Sequence, residues 1–313
     1  MIRTRLLPAC AAACALINLP GAGQAQTAFP NPIRMTQEET GTRANDVYAP
    51  RMIYQVINGV KTLVMYFGGW YRTDPEELPN DAIYRAVCPA PNQCGPAQKV
   101  IDPVAAGLGS ASMVNNPTIV ELHNYGQDYL VMYMTGVPGE DRNNAQTVSN
   151  NKIYYSVSWA KDGVNWTPPA LLLDCGWLPS ATLDQEGNVI LYANTNGLES
   201  PGFLARYNLG PSGVDVGAAE AVATNTGQDY ENVEVKYRPS INLFQMVAQQ
   251  ASAQFDSEID YLDSVDGVHF VARARNITQP GMTPGVHPDT SCWVYYGEAP
   301  AIYLANIWLR SWC

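Results

Sequence analysis

Residues 115–137 read NNPTIVELHNYGQDYLVMYMTGV, and residues 152–166 read KIYYSVSWAKDGVNW. After Pro117 the chain alternates apolar and polar residues, turns, and runs back through an aromatic-rich segment. A loop leads to a third apolar segment that ends near Asp162-Gly163. Period-two alternation marks strands that bury one face, and the segments are too short and too regularly interrupted for helices.

The same unit recurs along the chain. Its other copies are YAPRMIYQVINGVKTLVMYFGGW (48–70) with DAIYRAVC (81–88), LPSATLDQEGNVILYANTNG (178–197) with FLARYNL (203–209), and YENVEVKYRPSINLFQMVAQQ (230–250) with EIDYLDSVDGVHF (258–270). A last copy, HPDTSCWVYYGEAPAIYLANIW (287–308), closes the series. On this reading Pro50, Pro117, Pro179, Val233 and Pro288 hold equivalent places. Glycine sits at the hairpin bends Asn58-Gly59, Glu186-Gly187 and Asp266-Gly267. A strand unit repeated at this period predicts an all-β, five-bladed β-propeller with four-stranded antiparallel blades. The fifth copy lacks its outer strands, so the ring edge needs cover, for which Phe29–Met35 is the candidate.

The N-terminus reads as a signal peptide over residues 1–25. Arg3 and Arg5 precede the apolar run Leu6–Leu19, and Gly23-Gln24-Ala25 offers a cleavage site. Residues 26–313 then form a single propeller domain, secreted or periplasmic, with no membrane span and expected as a monomer. The net charge of −11, with no Lys/Arg cluster, leaves no footprint for nucleic acid and favours neutral ligands. Five cysteines follow the leader. An oxidising compartment makes Cys88–Cys94 and Cys292–Cys313 the expected bonds, with Cys175 left over and expected to be buried. No cysteine spacing suggests zinc.

Strand polarity gathers one set of loops and strand beginnings on a single face. That face collects Asp46, Arg51, Trp70, Asp81, Asn116, Trp177, Glu231 and His287. Carboxylates, a histidine and aromatic rings around a funnel are the chemistry of a sugar site, since rings stack on sugar C–H faces and carboxylates bind hydroxyls or cut the acetal.

Over residues 45–308 the chain resembles the five-bladed propeller glycoside hydrolases, the group of arabinanases, β-xylosidases, levansucrases and invertases, with glycoside hydrolase family 43 as the nearest named relative. The likeness rests on Asp46–Pro50, on MYFGGW at 65–70, on the turns at Ser158 and Ser264, and on Tyr230-Glu231-Asn232-Val233 and Gly285-Val286-His287-Pro288. It implies an exported hydrolase of arabinofuranosides, xylosides or fructosides, with Asp46 as base and Glu231 as acid. Arg51, Trp70, Asp81, Asn116, Trp177 and His287 would hold the sugar. No cofactor is required; a cation or water on the axis near His287 is implied. The family's blade-one Asp directly precedes the Pro, where this chain has Ala49. Its blade-three Asp corresponds to Leu178. A carbohydrate-binding propeller of the cell envelope that has lost catalysis is the alternative.

Overall fold

The computed structural model describes residues 47–71, 80–103, 107–108, 113–124, 126–137, 151–195, 203–251, 257–278, 280–298 and 306–312. They form five antiparallel sheets arranged as a five-bladed β-propeller, with no helix among them. Blade one runs β1 (Val47–Ile57), β2 (Val60–Tyr71), β3 (Asn80–Cys88) and β4 (Gln98–Ile101). Blade two runs β5 (Met113–Asn124), β6 (Gln127–Val137), β7 (Lys152–Ser158) and β8 (Ala170–Leu173). Blade three runs β9 (Trp177–Leu183), β10 (Val189–Thr195), β11 (Phe203–Asn208) and β12 (Glu220–Ala221). The short β13 (Ala223–Thr224) lies parallel on the outer edge of blade four, which comprises β14 (Tyr230–Arg238), β15 (Leu243–Gln250), β16 (Ile259–Ser264) and β17 (His269–Ala274). Blade five has three described strands, β18 (Met282–His287), β19 (Thr290–Glu298) and β20 (Asn306–Ser311). The innermost strands β1, β5, β9, β14 and β18 touch in a closed ring.

The alternation read in the sequence becomes packing between blades. Phe67, Met65 and Tyr84 of blade one pack with Tyr295 and Leu309 of blade five, and Tyr133 and Val131 of blade two pack with Leu191 and Ala193 of blade three. Each buried side chain of this size is worth about 1.5–3 kcal/mol. Ser158 and Ser264 lead into the Asp-Gly turns. Asp162 Oδ1 accepts the N–H groups of Val164 and Asn165, both at 2.9 Å, and Asp266 Oδ1 those of Val268 and His269, both at 2.8 Å. These aspartates are structural turn formers.

The fifth blade begins earlier than the sequence pattern suggests. Its innermost strand is β18, so the residue equivalent to Pro50, Pro117, Pro179 and Val233 is Pro284, not Pro288. Gly285 explains the misreading. It occupies the place of Arg51, Thr118, Ser180 and Glu234, and a Cβ there would run into the Pro50 carbonyl oxygen of blade one. A Gly beside a Pro in a short strand breaks the apolar alternation that located the other copies.

Ring closure uses side chains. Thr118 Oγ1 accepts the Ala181 N–H at 3.0 Å, Ser180 Oγ accepts that of Val235 at 2.9 Å, and a Glu234 carboxylate oxygen accepts that of Val286. Each bond ties one inner strand to the next. The ring closes where Thr283 Oγ1 accepts the Ala49 N–H at 2.8 Å, and where Arg51 donates to Pro284 O at 2.5 Å and Val233 O at 3.2 Å. The Cys88–Cys94 disulfide is present. Cys292 is disulfide-bonded as well; its expected partner Cys313, and the strand expected at Phe29–Met35, lie outside the described residues. Cys175 is free but exposed, against the expectation of burial, because it lies in the loop between β8 and β9.

Candidate functional site

One position repeats in all five blades at the mouth of the ring. Ala49, Asn116, Leu178, Asn232 and Thr283 directly precede Pro50, Pro117, Pro179, Val233 and Pro284, and all five take left-handed backbone conformations, with φ between 37° and 55°. The strand register shifts there in every blade. A β-bulge of this kind turns the chain and re-aims side chains, and bulges gather beside sites. Non-glycine residues in this region are strained, Asn least so. The three that are not Asn are held by neighbours: Thr283 Oγ1 takes the Ala49 N–H, Thr135 Oγ1 takes the Leu178 N–H at 2.9 Å, and Gln249 Oε1 takes the Thr283 N–H at 2.8 Å. The strain is thus built in by the blade contacts.

Two polar groups surround these positions. In blades one and two, Asp81 at the start of β3 is fully buried. It accepts the Tyr48 hydroxyl and the Asn115 amide, the latter at 3.0 Å. Asn115 Oδ1 accepts Asn116 Nδ2 at 2.9 Å. In blades four and five, Gln249 Oε1 accepts Asn232 Nδ2 at 2.9 Å, and Gln249 Nε2 donates to Glu231 Oε1 at 3.4 Å. With their amide nitrogens tied back, Asn116 and Asn232 leave buried Oδ1 atoms that no donor among the described residues reaches; the buried indole N–H of Trp177 also lacks a partner among them. Unpaired buried polar atoms are costly and call for an explanation such as water or ligand.

Of the residues expected at the mouth, Asp81, Asn116, Trp177 and Glu231 are placed there. Asp46 and the side chain of Trp70 lie outside the described residues, although the backbone of Trp70 pairs with Asp81 at the same end. Two expectations need correction. Arg51 is buried below the mouth, where its Nη1 and Nη2 donate to the carbonyls of Pro50, Pro284 and Val233 and its Nε has no partner among the described residues. Burial lowers its pKa, which Glu234 opposes, and its role is to hold blades one, four and five together.

His287 is at the other end of the propeller. It ends β18, beside the hairpin, and its carbonyl accepts from Arg238, which ends β14. Its ring is set against Tyr54 and Trp293. The error follows from the shifted fifth blade, which turned a strand end into a strand start. The residues there do not suit an axial cation. His287 Nδ1 accepts the Asp289 N–H at 3.3 Å, and Arg238 and Lys61 place positive charge nearby, with Asp289 as the opposing carboxylate. Among the described residues no group of three or more His, Cys, Asp or Glu is placed to hold a metal.

Sequence reading missed Asn232, Gln249, Thr283 and Tyr48 as parts of the site. For Asn116 and Asn232 a signal existed: the same residue type at the same repeat position, and Asn tolerates the left-handed region. Gln249 gave none, because a Gln at a strand end reads as solvated.

The architecture is similar to that of an N-acetylgalactosamine deacetylase from F. plautii solved with blood group B trisaccharide. The TM-score is 0.55 and the identity 13%, over 91% of this chain and 94% of that one. It is also similar to CoXyl43, a glycoside hydrolase family 43 β-xylosidase/α-arabinofuranosidase from a compost metagenome solved with xylotriose (0.60, 9%, 91% and 95%). A third is Zg3597, a family 117 glycoside hydrolase of the marine bacterium Zobellia galactanivorans (0.61, 12%, 91% and 89%). At these identities the likeness is one of fold, and the fold alone does not select a reaction. No protein-family model and no curated protein matches the sequence.

Proposed function

We propose that this chain is an exported carbohydrate-binding propeller, built on the glycoside hydrolase architecture, that takes a neutral glycan at the mouth and does not cleave it. One observation carries the reading. Ala49 and Leu178 share the conformation and the place of Asn116, Asn232 and Thr283, and both are buried and apolar. These are the two places where the resemblance calls for aspartates. Hydrolysis of a glycosidic bond needs a pair of carboxylates, one on each side of the bond. What surrounds the five positions instead is a set of amide and carboxylate acceptors, suited to sugar hydroxyls, and Trp177. The acidic surface charge favours a neutral ligand over an anionic one. The disulfides fit an oxidising compartment.

Hydrolysis by Asp46 and Glu231 is the second reading. It is favoured by Glu231, which is half-buried at the mouth and two residues before the Pro-equivalent position. A glycan array combined with a panel of aryl arabinofuranosides, xylosides and fructosides separates the two. Binding without turnover is the expected result. Turnover lost in both Asp46→Asn and Glu231→Gln overturns it in favour of hydrolysis.

A further inference from the structure

Gln249 lies at the end of β15, directly across the ladder from Glu231, and is 1% exposed. Its carboxamide orientation is dictated by its neighbours. The Thr283 backbone N–H can only donate, so the atom 2.8 Å from it is Oε1. The same oxygen accepts Asn232 Nδ2 at 2.9 Å. The amide nitrogen must then face Glu231, 3.4 Å away. One side chain thus contacts three groups: the carboxylate of Glu231, the amide of Asn232, and the left-handed Thr283 of the next blade.

We infer that Gln249 is the positioning residue of the mouth, orienting Glu231 and Asn232 as hydrogen-bond acceptors for the hydroxyls of a neutral sugar. The inference rests on the reading of the mouth as a glycan site. The chemistry is directional. An amide N–H facing Glu231 fixes that carboxylate as an acceptor of set orientation, and the bond uses one of a carboxylate's about four acceptor positions. Asn232 is fixed the same way. Its nitrogen is drawn to Gln249, which turns its Oδ1 away from that contact and leaves it without a donor among the described residues. Two acceptors held by one buried amide form a preorganised pair, the arrangement that lowers the ordering cost of binding.

The informative variant is Gln249→Glu. It is isosteric and still accepts from Thr283 and Asn232, so the contacts to blade five survive. It can no longer donate, and it sets a second carboxylate against Glu231. Two facing carboxylates share a proton when the pH falls. Calorimetric titration with xylotetraose and arabinotetraose at pH 7.5 is expected to show binding at least about tenfold weaker than wild type. At pH 4.5 the shared proton restores the variant to within about threefold of wild type at that pH. A merely structural role would weaken binding alike at both pH values, and that outcome overturns the inference, as does wild-type affinity at pH 7.5. If the wild type binds neither sugar at either pH, the glycan reading of the site fails for these classes. The role of Gln249 is then decided by crystal structures of both proteins at pH 7.5. A Glu231 side chain swung away in Gln249→Glu supports the inference; an unmoved one overturns it.

Discussion

Tyr133 donates its hydroxyl to the carbonyl oxygen of Gly213, 80 residues later and one blade on, at 2.7 Å. The same bond links Tyr66 to Gly163 at 3.2 Å and Tyr192 to Gly267 at 2.8 Å. In each case a second-strand tyrosine, paired with the residue after the Pro, reaches the outer turn of the following blade. The turn residue must be glycine, because its φ is positive and a Cβ would meet the tyrosine oxygen. Burial raises the pKa of all three tyrosines. Blade four has Val247 at this position, and the three described strands of blade five offer no such turn. Blade five has Tyr295, in one buried cluster with Cys88 and Cys94 of blade one, where the disulfide loop replaces the turn; its buried hydroxyl has no partner among the described residues.

That difference predicts opposite outcomes for one substitution. Tyr133→Phe removes a bond and strands the Gly213 carbonyl, and should cost about 1–2 kcal/mol. Tyr295→Phe removes a hydroxyl already unpaired, and should be neutral or stabilising. Urea unfolding of both variants is the check. Equal losses would refute the assignment of an unpaired hydroxyl to Tyr295.

Arg51 is predicted to be worth more to stability than to ligand binding. It is buried, and its donors serve carbonyls of blades one, four and five. Arg51→Met leaves those carbonyls without this donor and Glu234 without one of its neighbouring cations, the others being Lys236 at 2.8 Å and Arg238. The expected loss is about 3 kcal/mol in denaturant unfolding. A variant as stable as wild type but unable to bind glycan would return Arg51 to the mouth.

The fold was legible because four copies carry a strand alternation broken by a Pro or Val at one fixed place, and because glycine marks their bends. The fifth copy was misplaced by four residues. Gly285 removes the side chain that the pattern needs, and Pro288 is the more conspicuous proline. His287 was carried with it to the wrong end of the ring. Arg51 was misjudged for another reason. Charge in a strand start reads as exposed, yet the burial of a guanidinium depends on carbonyls brought by Val233 and Pro284, more than 180 residues distant in sequence. Asp81, Asn116, Trp177 and Glu231 lie at the end to which strand polarity assigned them, because that polarity alone decides which end a residue occupies. Their partners could not be read, since Gln249 meets Thr283 only after the blades pack.

Cysteine accounting gives a further expectation. Cys88 and Cys94 are bonded, Cys292 is bonded, and Cys175 is free and exposed. A thiol reagent added to native protein lacking residues 1–25 should therefore titrate one group without denaturant. Cys10 and Cys14 lie within the expected leader, so protein that keeps residues 1–25 should titrate up to three. Cys175→Ser should abolish the reaction of the protein lacking residues 1–25 and leave the unfolding free energy within about 0.5 kcal/mol of wild type, as for other exposed substitutions. A native protein that titrates none would mean that Cys175 is bonded or covered.

The last expectation concerns acid. His287 is buried, and burial holds its pKa below the usual 6.5; Asp289 opposes this, while Arg238 and Lys61 add to it. The rings of Tyr54 and Trp293 offer the imidazole no acceptor, and its Nδ1 already accepts the Asp289 N–H. Protonation would turn that acceptor into a donor facing another donor. Because the folded pKa lies below the unfolded one, the unfolded chain takes the proton first. The stabilisation is full above pH 6.5 and is lost as the pH falls from there through the folded pKa. The wild-type unfolding midpoint should therefore drop between pH 7.5 and 5.5. His287→Gln, which keeps an acceptor but does not titrate, should show a shallower drop over the same window, and the two curves should converge toward the acid side. Glycan affinity should differ little between the two proteins, because His287 ends its strand at the face opposite the mouth. Parallel stability curves would remove His287 as the titrating group. A loss of glycan binding in His287→Gln with stability intact would place it back in the site.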